Sequence, residues 1–152
     1  MAREKLAELL RALSDEVQKV KQAADNTKQS ADEIARTAAH SPSQSGDSVH
    51  SRGQAQITEE YYNKYLSFKK MVESALTQEV KAIKPPCYVE LQFSDGRQTA
   101  FYLVKDPIAI NGFVLVSISS PLGLVLIGKK QNSKFRHTAT GKTLNGVIHF
   151  IQ

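Results

Sequence analysis

Between Leu6 and Ala38, apolar or small residues recur at alternating steps of four and three: Leu6, Leu10, Leu13, Val17, Val20, Ala24, Thr27, Ala31, Ile34 and Ala38. That spacing is the seam of a coiled coil. The positions between are largely Lys, Glu, Gln, Asp and Ser, so the predicted helix has one narrow apolar stripe and little stability alone. It requires a partner.

The same chain supplies one. Ser41-Pro42-Ser43-Gln44-Ser45-Gly46-Asp47-Ser48 interrupts the pattern with helix-breaking and turn-forming residues, and a second seam then runs Tyr61, Tyr65, Phe68, Val72, Ala75. Leu76, Val80 and Ile83 continue it on a slightly rotated face until Lys84-Pro85-Pro86 stops the helix. With the turn centred near Asp47, paired residue numbers sum to about 95, which sets Ile34 by Tyr61, Ala31 by Tyr65, Thr27 by Phe68, Ala24 by Val72 and Val20 by Ala75. Large residues then meet small ones, which favours an intramolecular hairpin, and a monomer, over an intermolecular dimer. Thirty helical residues make a rod of roughly 45 Å. The expected division is a hairpin over residues 1–84, with its tip loop at about 41–53, and a second domain over 85–152.

After Pro86 the period changes from helical to alternating. Tyr88, Glu90 and Gln92 oppose Val89, Leu91 and Phe93, Ser94-Asp95-Gly96-Arg97 forms a hairpin turn, and Gln98 to Val104 returns. Gly112 to Ser119 reads as a third strand, Leu122 to Gly128 as a short apolar helix closed by glycine, and Phe135–Thr140 with Thr143–Ile151 as a last hairpin through Gly141-Lys142. The predicted fold class is α+β: an antiparallel helical hairpin followed by an antiparallel β domain with one short helix.

Charge narrows the partners only a little. Of 20 Lys and Arg against 15 Asp and Glu, residues 1–53 hold eight and eight, residues 54–86 five and four, residues 87–152 seven and three, so the basic excess lies in the last third. Only Lys129, Lys130, Lys134 and Arg136 form a loose group there, and a solvated surface accounts for most such charge. The single cysteine, Cys87, has no second Cys for a disulfide or a metal pattern and reads as a half-buried strand residue. No apolar run approaches the ~20 residues of a membrane span, and the expectation is a soluble, cytoplasmic protein that engages no membrane.

Ser120-Pro121-Leu122-Gly123-Leu124-Val125-Leu126-Ile127-Gly128-Lys129 resembles the Ser-Pro-x-Gly/Ala-x-x-Leu-Ile-Gly-Lys signature in the C-terminal domain of bacterial Gre-type (GreA/GreB-like) transcript-cleavage factors. The resemblance extends to the whole chain in architecture and to residue identity mainly over 86–152. It implies an FKBP-like C-terminal domain, RNA polymerase as partner through Ser120, Pro121, Leu122, Gly123 and Lys129, and nascent RNA or DNA met only within the polymerase complex. In that family the hairpin enters the secondary channel and places two tip acids beside the catalytic magnesium, so the chemistry belongs to the polymerase. The chain would have no active site and no cofactor of its own, beyond Mg2+ shared with the polymerase. A second metal and an activated water need hard oxygen ligands, which paired carboxylates supply. Gly46-Asp47 matches the family's tip, but the next acidic position falls at His50, which implies poor stimulation of cleavage.

Simpler readings accompany each part. Pro121 suits the first turn of a helix and Gly128 its end, so fold maintenance explains part of the signature. Glu59 and Glu60 read as solvated acids; His40, His137 and His149 are too dispersed for a zinc or nucleophile pattern. Tyr61 and Tyr65 belong to the seam, which leaves Tyr62 exposed for stacking with Lys64, Lys69 and Lys70 nearby. Two other functions fit a fold of this kind: a peptidyl-prolyl isomerase, which needs an aromatic-lined cleft that a domain without Trp supplies poorly, and a coiled-coil adaptor for another partner.

Overall fold

A computed structural model describes residues 3–38 and 45–152, with the side chains of 27–58 outside the description. Two long helices come first, α1 over Glu4–Ala38 and α2 over Ser45–Ala75. Five strands and a short helix follow: β1 Cys87–Phe93, β2 Gln98–Val104, β3 Leu115–Ser117, α3 Pro121–Leu126, β4 Lys134–Ala139 and β5 Lys142–Ile151. The class is α+β, as the two sequence periods require. The chain divides into a unit of residues 1–11 with 71–152 and a unit of residues 12–70.

In the unit of residues 12–70, Leu13, Val17 and Ala24 of α1 and Tyr65 and Phe68 of α2 are buried. Burial, followed by the nearby carboxylate of Glu16, pushes the Tyr65 hydroxyl above its ordinary pKa. Helix α2 begins at Ser45, so the midpoint between the helix ends lies near residues 41–42, not near Asp47. Residues 45–53, expected in the tip loop, are therefore helical; Ser, Gly and Asp mark helix starts as readily as turns, and composition alone does not separate the two. The shift also corrects the seam. Tyr61 is 55% exposed, Tyr62 is half-buried, and Leu9 is fully buried while Leu10 is only partly so.

In the other unit, the Arg3 guanidinium donates to the Ala75 carbonyl at 2.7 Å and the Pro86 carbonyl at 2.9 Å. This fastens the start of α1 to the end of α2, which makes the pair antiparallel. Burial pulls Arg3 below its ordinary pKa, with the neighbouring Cys87 opposing. Lys5 N–H donates to Gln152 Oε1 and the Tyr102 hydroxyl donates to the Lys5 carbonyl, so three parts of the unit meet at one place. Cys87 is fully buried there, not half-buried as expected, and burial raises its thiol.

Helix α2 stops at Ala75 instead of reaching Lys84. Ile83 is the reason: its N–H donates to the Lys129 carbonyl and its carbonyl accepts from the Gly128 N–H, both at 2.8 Å, a bridge that a continuing helix cannot make. The sheet order is β3-β2-β1-β5-β4. β1 pairs antiparallel with β2 from Cys87↔Leu103 to Gln92↔Gln98 and with β5, and β4 pairs antiparallel with β5 from Lys134↔Val147 to Ala139↔Lys142. β3 departs from expectation: it is short and runs parallel to β2, with Tyr102↔Leu115 and Val104↔Ser117, so the sheet is mixed. A strand that follows a return crossover over residues 105–114 re-enters in the direction it left. Val89, Leu91, Phe101, Leu103, Leu126, Phe135 and Ile148 form the core, with Leu122 and Val125 of α3 packed partly against it.

Candidate partner-binding surface

α3 and the turn that launches it carry most of the residues singled out in the sequence. Ser120, in extended conformation, caps the helix by accepting the Gly123 N–H on its Oγ at 3.0 Å, while its own hydroxyl donates to the Ser117 carbonyl at 2.6 Å. Pro121 opens the first turn, where its missing N–H leaves no donor unpaired. Gly123 is buried against the preceding strand: a Cβ there would collide with the Ser117 carbonyl and stand 2.8 Å from Ile118 Cα. Gly128 ends the segment at φ +81°, a conformation that costs glycine little. Expected over Leu122–Gly128, the helix forms over Pro121–Leu126.

Ser120, Pro121 and Gly123 are thus accounted for by the making of α3, and Leu122 is partly buried. Lys129 is half-buried, with both main-chain groups bonded, to Leu126 and to Ile83. What packing leaves over is Leu124, 65% exposed on the helix, and Ile127, 42% exposed at the residue that caps its C-terminal end. Sequence reading passed over both. The signal was present, since a segment apolar all round and only six residues long can bury just one face.

A cleft of about 710 Å³ opens beside α3, between it and the β4–β5 hairpin, with Val125, Lys129, Lys134, Phe135, Arg136 and Val147 in its lining. Three of the four basic residues noted in the sequence, Lys129, Lys134 and Arg136, are brought together there. Asp47 and His50 fall within the first turns of α2, and their side chains lie outside the described residues. Glu59 and Glu60 are exposed, as are Tyr61 and Lys64, whose Nζ stands 5.7 Å from the Tyr61 ring centroid. His40 lies outside the described residues; His137 is half-buried with Nδ1 unpaired, and His149 is exposed on the sheet. Among the described residues no group of His, Cys, Asp and Glu is placed to hold a metal, and no helix is long and apolar enough to cross a membrane.

No family model and no curated protein matches the chain. Among solved structures it is similar to the transcription factor Gfh1, at 13% identity and TM-score 0.41 over 89% of this chain and 92% of that one. It is similar to GreA factor homolog 1 (Gfh1) of Thermus thermophilus at 15% identity and TM-score 0.41, over 94% of each chain. A prokaryotic transcription elongation factor GreA/GreB from Nitrosomonas europaea gives 15% identity and TM-score 0.40 over 65% of this chain and 91% of that one. Likeness at this level carries no argument about activity.

Proposed function

We propose that the protein is a bacterial, cytoplasmic, monomeric transcription factor of the Gre type, which binds RNA polymerase and inserts its helical hairpin into the secondary channel. The observation that carries this reading is the Ser120–Lys129 segment. Its Ser-Pro-x-Gly start is built into a capped helix, which carries Leu124 exposed and is followed at once by Ile127, also exposed. Apolar side chains that remain exposed on a rigid element mark a surface for a protein partner. Helices of 35 and 31 residues supply a finger of the length such a channel would take.

On this reading Ser120, Pro121, Leu122, Gly123 and Lys129 form the docking segment, and Asp47 and His50 belong to the end that faces the polymerase magnesium. One carboxylate, Asp47, recruits a second metal poorly, so the factor occupies the channel more than it stimulates cleavage. The test is to add the protein to stalled elongation complexes and follow both its binding and the RNA 3′ end. Binding that Leu124→Ser with Ile127→Ser weakens at least tenfold, with little shortening of the RNA, is the expected result; absence of polymerase binding by the intact chain overturns the reading.

A further inference from the structure

We infer that the cavity bounded by Arg3, residues 76–81 and the end of β5 binds a small monocarboxylate with an apolar body. All of its lining comes from the unit of residues 1–11 with 71–152, and its volume of about 470 Å³ suits one small molecule. Arg3, only 7% exposed, forms part of the wall. Its Nη1 and Nη2 donate to the carbonyls of Ala75 and Pro86, while Nε is buried with no acceptor. Carbonyls satisfy donors without neutralising the charge, and among the described residues no carboxylate is paired with Arg3. A buried cation without a counter-charge is costly, and an anion that enters beside it offsets that cost.

The rest of the lining decides which anion fits. Leu76, Val80, Phe150 and Ile151 give the cavity apolar surface, which an organic tail covers and inorganic phosphate does not. Glu79 and Lys81 also border it, but they pair with each other at 3.6 Å with both side chains largely in solvent. Glu79 therefore leaves Arg3 uncompensated, and Lys81 supplies no second buried cation for a dianion. A carboxylate brings one charge and two oxygens side by side, the arrangement that a guanidinium fork matches. Fastening α1 to α2 accounts for Nη1 and Nη2 of Arg3; it accounts for neither the orphaned Nε nor the charge. No residue of the cavity belongs to the segment assigned to polymerase docking, so the inference stands apart from that reading.

The full-length protein, labelled with 15N, would be titrated with benzoate and with hexanoate while the Arg3 Nε–H resonance is followed, with benzamide and inorganic phosphate as controls. Both carboxylates should shift that resonance and saturate with a Kd of about 1 mM or below, and neither control should. Arg3 itself ties two helix ends together, so the decisive variant lies elsewhere. Gln78 is an exposed residue of the same lining, and Gln78→Glu sets a carboxylate of the chain's own in the ligand's place. Benzoate affinity should fall about tenfold or more in Gln78→Glu, hold in Gln78→Asn, and hold in Leu124→Ser/Ile127→Ser, which lies outside the cavity; circular dichroism checks that each variant keeps the fold. The inference is overturned by an Arg3 Nε–H resonance that benzoate and hexanoate leave unmoved, by benzamide binding as tightly as benzoate, by phosphate binding in their place, or by equal benzoate affinity in Gln78→Glu. Loss of polymerase binding in Leu124→Ser/Ile127→Ser with benzoate binding retained separates this site from the docking surface.

Discussion

Tyr102 shows how one side chain can make stability depend on pH. Its hydroxyl donates to the Lys5 carbonyl at 2.9 Å, its ring packs at 5.2 Å from that of Tyr88, and burial followed by the charge of Glu8 pushes its pKa up to about 12. The folded state therefore holds this proton more tightly than the unfolded chain, whose tyrosine titrates near pH 10. That contribution is complete below pH 10 and is lost as pH rises from 10 towards 12. Urea unfolding across this range should show a falling midpoint, with a shallower fall in Tyr102→Phe. At neutral pH the same substitution should cost about 1 kcal/mol for the lost hydrogen bond. A second residue has no room for change at all. Gly123→Ala must drive a methyl group into the Ser117 carbonyl, and destabilisation on the order of 3 kcal/mol is expected from the unfolding midpoint.

At the scale of the element, α3 and the β4–β5 hairpin make opposite predictions. Removing the cap in Ser120→Ala leaves the Gly123 N–H without its acceptor and should lower stability by about 1 kcal/mol, read as a lower thermal midpoint. The hairpin turn is less well matched to its residues. Thr140 is held at φ 49° beside Gly141 at φ 75°, a pairing of left-handed residues in which asparagine is preferred and a β-branched residue is disfavoured. Thr140→Asn should therefore raise stability by about 0.5 kcal/mol or more in the same measurement. If it lowers stability, the bond from Thr140 Oγ1 to the Ala139 carbonyl outweighs the backbone preference.

For the whole molecule, the prediction concerns transcription and rests on the proposed function. A chain with Asp47 and His50 where the resemblance expects two acids should bind stalled elongation complexes, shorten their RNA little, and antagonise an authentic cleavage factor added to the same complexes. His50→Glu restores a second hard ligand and should raise cleavage by tenfold or more, while Asp47→Ala changes little. Strong cleavage by the unmodified protein that Asp47→Ala abolishes would refute this and assign it the conventional role.

The periods of hydrophobicity by themselves determined that two long helices precede a β domain, because 3.5-residue and two-residue spacings admit no other backbone. They also located the β1–β2 and β4–β5 hairpins, whose turn residues act over four positions and depend on nothing distant. Lys129, Lys134 and Arg136 were legible as a group. Their joint cleft was not, since α3 and the hairpin meet only in three dimensions. The tertiary structure decided where α2 ends, because the bonds between Ile83 and residues 128–129 override a seam that the sequence continues to Ile83. It decided the parallel direction of β3, which depends on a crossover and not on the strand's own residues. It also decided which apolar residues stay outside: Leu124 and Leu126 are the same residue type two positions apart, and only the sheet beneath α3 buries one and exposes the other.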